Sequence, residues 1–235
     1  MRLLLISNST NAGEGYLQHA KGQIKNFLGE DPVTALFIPY AGVTISYEQY
    51  ETRVKTSFNE IGHDIRSIHH YPDPGEAVLA ADAIIVGGGN TFRLLQLIQS
   101  NNLIVPVRKK IMNGIPYIGW SAGANVACPT ICTTNDMPIV QPDSFKAFNL
   151  IPFQINPHYL DVHPEGHAGE TREMRIEEFI MVNQELYVAG LREGSMFLIE
   201  DSVIQLIGKK NARIFKYGRA PLEVYPGSDI QFLIQ

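Results

Sequence analysis

The chain has 235 residues, 45% hydrophobic and 18% charged, a balance that excludes disorder and supports a full-sized core. Lys and Arg number 19 against 24 Asp and Glu, so the formal charge is −5 and no overall basic footprint for nucleic acid exists. Two cysteines make neither a disulfide framework nor a Cys-rich zinc site.

The first run, Leu3–Ile6, reads as a buried strand. It is too short for the apolar core of a signal peptide or for a membrane span, so a cytoplasmic location with reduced thiols is expected. Ala35–Ile38, Ile65–Ile68, Ala83–Val86 and Tyr117–Trp120 are similar short apolar runs, the pattern of strands covered on both faces. Helical stripes lie between them. They are Leu17, Ala20, Ile24, Phe27 and Leu28; Tyr47, Tyr50, Val54, Phe58 and Ile61; Phe92, Leu95, Leu97 and Ile98; and Val105, Val107 and Ile111. The alternation predicts an α/β fold with a mostly parallel sheet flanked by helices. Beyond it, Leu150–Ile155 reads as a strand and Glu170–Val182 as a helix. Leu186–Leu191, Met196–Ile199, Val203–Ile207 and Arg213–Tyr217 then predict an antiparallel C-terminal edge to the same sheet. No repeat or linker interrupts the chain, so residues 1–235 are expected to form a single domain.

The chemistry concentrates after the strand ending at Trp120. Gly119-x-Ser121-x-Gly123 has the spacing of a nucleophile elbow, a sharp strand-to-helix turn that exposes a serine hydroxyl at the carboxyl end of a strand. Val86-Gly87-Gly88-Gly89-Asn90-Thr91 likewise leaves a strand and enters a helix. It matches neither nucleotide-binding glycine pattern, and the N–H groups of Gly88 and Gly89 are expected to face Ser121 as oxyanion donors. A serine nucleophile needs a base, and the base an orienting acid. Of seven histidines, His158 follows a strand-like run where a loop can deliver it to the strand ends. His19 reads as a surface residue, and His63, His69 and His70 as structural. His163-x-Glu165-x-His167 fits no standard zinc spacing and reads as a solvated loop. Asp136 and Glu193 both sit in polar breaks beside apolar runs, and spacing does not choose between them. Cys128 and Cys132 lack redox spacing and read as small buried hydrophobes.

Several blocks resemble the peptidase E family of α-aspartyl dipeptidases. They are Leu5-Ile6-Ser7-Asn8-Ser9-Thr10, Phe37 to Thr44, Ile85 to Phe92, Gly119 to Asn125, Cys128-Pro129-Thr130, Thr133 to Val140, Ile155 to His158 and Gly166 to Glu173. The resemblance runs from residue 1 to about residue 200 and implies a serine peptidase on a class I glutamine-amidotransferase-like sheet. It implies Ser121 as nucleophile, His158 as general base and Glu193 or Asp136 as the third member, with Glu193 favoured because the acid follows the histidine in such folds. The oxyanion would be held by Gly88 or Gly89 and by Ala122. Arg172 would grip the aspartyl carboxylate, and Asp136 or Asn90 would receive the α-amino group. Small peptides with N-terminal aspartate are the expected partners, with no nucleic acid, membrane, metal or organic cofactor, on a monomer or homodimer. A cyanophycinase-like hydrolase is the alternative within the fold. An α/β-hydrolase fits less well, because 77 residues follow His158 (235 − 158).

Overall fold

A strand covered on both faces must be apolar at every position, and Leu3 to Ile6 are all fully buried. Their side chains alternate, Leu3 and Leu5 entering one core cluster and Leu4 and Ile6 another on the opposite face. In this computed structural model, which describes residues 1–161 and 169–235, they form β1 (Arg2–Ile6). β2 (Thr34–Ile38), β3 (Asp64–Ser67), β4 (Ile84–Val86) and β5 (Tyr117–Trp120) join it in parallel. β8 (Ser195–Glu200) and β9 (Val203–Gly208) finish the sheet antiparallel. The order of the seven strands is β3-β2-β4-β5-β1-β8-β9.

Helices cover both faces. On the face of Leu4 and Ile6, α1 (Lys21–Leu28) contributes Ile24 and Phe27, and α2 (Tyr47–Asn59) contributes Tyr50, Val54 and Phe58. Ser46 starts α2 with a capping box: its hydroxyl accepts the Gln49 N–H, and the Gln49 side chain accepts the Ser46 N–H. On the other face lie α3 (Pro74–Ala80), α4 (Thr91–Ser100) and α5 (Ile104–Met112), burying Val78, Leu94, Leu95, Ile98, Val107 and Ile111.

The last third departs from expectation. β6 (Gln154–Pro157), β7 (Tyr187–Leu191), β10 (Ala212–Lys216) and β11 (Leu222–Val224) form a second sheet of order β11-β10-β7-β6. The sequence put Leu186–Leu191 and Arg213–Tyr217 on the edge of the first sheet, but the β8–β9 hairpin occupies that edge. Apolar periodicity marks a strand and does not name its partner. One face of the second sheet, through Ile155, Ala189, Leu191, Ala212 and Ile214, joins the same core as Leu3 and Leu5. The other face is covered by α7 (Arg172–Val182), through Ile176 and Ile180 against Val188 and Phe215.

Candidate active site

The elbow lies between β5 and the short helix α6 (Ala122–Asn125). Ser121 has φ 53° and ψ −114°, a conformation an L-residue holds only when its surroundings impose it. Its N–H donates to Ile6 O at 3.0 Å, fixing the turn to β1. The flanking glycines are steric requirements. A Cβ at Gly119 would lie 2.3 Å from Gly123 O, and one at Gly123 would lie 2.1 Å from Val86 O.

His158 and Glu193 arrive from the second sheet. β6 and β7 pair in parallel, with Pro157 opposite Leu191, so the chain leaves both strands side by side. His158 has φ 54°, and its N–H donates to Ser7 Oγ at 2.9 Å, which in turn donates to Leu191 O at 2.7 Å. The ring spans the gap: Nε2 lies 2.9 Å from Ser121 Oγ and Nδ1 lies 2.7 Å from Glu193 Oε1. With the ring proton on Nδ1 donated to Glu193, Nε2 is free to accept from the serine hydroxyl.

Asp136 stands elsewhere. Its Oδ2 accepts the Thr91 N–H at 2.7 Å and the Thr91 and Thr134 hydroxyls at 2.5 and 3.2 Å, at the start of α4. The carboxylate on His158 is Glu193. The loop carrying Asp136 also supports β6. The Thr133 hydroxyl and Asn125 Nδ2 both donate to Ile155 O at 2.8 Å, and Asn156 Nδ2 donates to Thr133 O at 2.8 Å.

The glycine loop faces the nucleophile, as a Cβ at Gly88 would lie 3.0 Å from Ser121 Cβ. The N–H groups of Gly88, Gly89 and Ala122 have no acceptor among the described residues. Tyr50, which the sequence marked only as a core position, donates its hydroxyl to Gly88 O at 2.9 Å and accepts from Trp120 Nε1 at 3.3 Å. Burial raises its pKa and keeps that hydroxyl a donor.

A pocket of about 550 Å³ opens onto Ser121 and His158. Gly88, Gly89 and Asn90 form one wall, and Tyr16 and Arg53 are also among its lining. Arg53 went unremarked in the sequence, because a charge on the polar face of a helix usually faces water. Its guanidinium lies 5.8 Å from the Tyr16 ring centroid. Asn90 caps α4, accepting the Arg93 N–H at 3.0 Å and donating to Met137 O at 2.9 Å. Arg172 is the first residue of α7, half-buried and with no ion-pair partner among the described residues. It is not in the lining of this pocket, and its pKa is lowered by burial and by Arg175, with Asp136 opposing.

An ion-pair network fixes the residue before Glu193. Arg192 Nε donates to Asp161 Oδ2 at 2.8 Å, and its Nη atoms donate to Glu223 at 2.9 and 3.0 Å. This guanidinium holds the Asp161 carboxyl below its usual range. Two readings of single residues change. His19 is half-buried with both ring nitrogens enclosed, because the turn before α1 folds it inward. Cys132 is exposed, whereas Cys128 is buried and its thiol is pushed up to about 12 by desolvation. His163, Glu165 and His167 lie outside the described residues. Among those described, no helix is long and apolar enough to cross a membrane.

Residues 3–207 match the family model of peptidase family S51. A peptidase E of Nostoc sp. (strain PCC 7120 / SAG 25.82 / UTEX 2576) is 50% identical over 234 residues, covering 100% of this chain and 97% of its own. A peptidase E of Salmonella newport (strain SL254) is 46% identical over 227 residues, covering 97% of this chain and 99% of its own. Among solved structures, a peptidase from an acI-B1 Actinobacterium aligns with TM-score 0.68 at 16% identity, over 97% of this chain and 95% of that one. At that identity the likeness speaks for the fold.

Proposed function

The chain belongs to peptidase family S51, and from that premise we propose how its site works. It is a serine-type dipeptidase that hydrolyses dipeptides beginning with aspartate. The observation that carries the mechanism is the unbroken line from Ser121 Oγ through the His158 ring to Glu193, at 2.9 and 2.7 Å.

Ser121 Oγ attacks the peptide carbonyl while His158 Nε2 takes its proton. Glu193 holds the ring by Nδ1–H and balances the imidazolium that forms. The N–H of Gly88 or Gly89, with that of Ala122, receives the oxyanion, and one such donor is worth roughly 10²–10³ in rate. His158 then gives its proton to the departing amine. Water, deprotonated by the same nitrogen, resolves the aspartyl-enzyme. Arg172 takes the aspartyl side-chain carboxylate, and Asp136 or Asn90 the α-amino group. Arg53, on the pocket wall, takes the carboxylate of the leaving residue, which suits a dipeptide. The reaction calls for no metal or organic cofactor. The setting is cytoplasmic, with the chain as monomer or homodimer.

Hydrolysis of Asp-Leu, Glu-Leu, Asn-Leu, Ala-Leu and Asp-Leu-amide tests this reading. Cleavage is expected for the two aspartyl substrates alone, with kcat falling about 10⁴-fold or more in Ser121→Ala. Arg53→Leu is expected to raise KM for Asp-Leu about 10-fold or more while leaving Asp-Leu-amide unchanged. Comparable cleavage of Ala-Leu refutes the specificity, and turnover retained in Ser121→Ala refutes the nucleophile.

A further inference from the structure

Outside the catalytic pocket, α2 and the turn after β3 bring together side chains that hydrolysis does not use. Glu51 lies on α2, and His69 and His70 lie in the short 3₁₀ turn Ile68–His70. One carboxylate oxygen and two ring nitrogens there lie within 4.8 Å of one another. Glu51 Oε2 is 2.5 Å from His70 Nε2, a contact that a simple ion pair explains. His69 has only a long ion-pair contact. Its Nδ1 is 2.7 Å from Ser67 Oγ, while its Nε2 is enclosed without a hydrogen-bond partner. Glu48 Oε1 stands 3.5 Å from that Nε2. With Nδ1–H donated to the serine, Nε2 keeps an enclosed lone pair 3.5 Å from the Glu48 carboxylate, two acceptors that a cation would reconcile.

The backing of these groups is that of a ligand set. Glu51 Oε1 accepts the Ser67 N–H at 2.8 Å, leaving Oε2 turned to the histidines. Fully buried Ser67 therefore orients both Glu51 and His69. Outer partners of this kind fix the tautomer and direction of metal-binding imidazoles and carboxylates.

We propose that Glu51, His69 and His70 bind a divalent cation of the zinc class, with a carboxylate oxygen of Glu48 at the rim as a fourth ligand. Two imidazoles and a carboxylate suit zinc, which draws such ligands to about 2.0–2.2 Å, and they favour it over magnesium or calcium. Closure parts Glu51 Oε2 from His70 Nε2 and brings His69 Nε2 inward. The ion then ties the carboxyl end of β3 to α2, the helix that carries Tyr50 to Gly88 and Arg53 to the pocket wall. Its role is to brace that helix.

Tag-free full-length protein, stripped with a chelator, is titrated with zinc chloride alone by calorimetry, and its Tm is followed in parallel. One zinc per chain is expected, with a rise in Tm. Glu51→Gln, which keeps the side-chain shape, and His69→Ala are each expected to weaken binding about tenfold or more. The metal-free Tm of each variant confirms that it is folded. The His163→Ala/His167→Ala double variant is expected to bind as the parent does. Failure to bind zinc at about 100 μM overturns the proposal. So does affinity unchanged in both Glu51→Gln and His69→Ala, or affinity lost in the double variant.

Discussion

At the residue scale, two carboxylates compete for one role and geometry separates them. Glu193 touches His158 Nδ1, whereas Asp136 is engaged by Thr91 and Thr134 at the start of α4. Glu193→Gln is therefore expected to lower kcat by about 10²–10⁴ with KM little changed, because ring orientation and imidazolium stabilisation are lost. Asp136→Asn is expected to act mainly on KM, through the substrate amine. Steady-state kinetics of the two variants decide the matter, and a kcat loss confined to Asp136→Asn reverses the assignment. The elbow was readable in the sequence because its constraint is local: Gly119 and Gly123 give room to a turn five residues long. The pairing of His158 with Glu193 was not, since it depends on Pro157 lying opposite Leu191 across a sheet. Arg53 was invisible for a related reason, as nothing in a helical stripe says which polar residue overlooks a pocket.

At the scale of elements, the parallel strands and their covering helices followed from apolar runs and stripes that the burial of Leu3–Ile6 and of Ile24, Val54, Leu95 and Ile111 matches. α3 went unread although Asp73-Pro74 begins it with a side-chain cap and a proline in the first turn. With buried Ala77 and Val78 in seven residues, its stripe is too short to stand out. The β5–α6 junction is where one methyl group matters most. Gly123→Ala is expected to cost about 3 kcal/mol, because the new Cβ meets Val86 O and backbone must yield. Gly22→Ala, in α1 with open space around it, is expected to stabilise by about 0.5–1 kcal/mol. Urea unfolding of both variants checks the contrast, and a Gly123→Ala chain as stable as the parent would contradict the tight approach of α6 to β4.

At the scale of the whole molecule, acid weakens the fold through histidines held neutral inside it. His63 is 3% exposed, its Nδ1 accepts the Val33 N–H at 3.3 Å, and burial lowers its pKa. The unfolded chain therefore takes up a proton near pH 6.5 that the folded chain refuses. That stability is present above about pH 6.5 and is lost as pH falls below it. Tm is expected to drop between about pH 7.5 and about pH 5.5, and to drop less in His63→Gln, whose side chain can still accept from Val33. An unchanged slope in the variant assigns the acid sensitivity elsewhere. The strand pattern foretold these layers only in part, because the polar break at Arg192 to Gly194 marks a crossing from one sheet to the other as well as a turn. That crossing also divides the catalytic machinery between two layers. Its nucleophile is positioned by the seven-stranded sheet and its proton acceptor by the four-stranded one. Any slip of one sheet against the other would lengthen the Ser121–His158 contact, so the core that the two sheets share also sets the alignment for proton transfer.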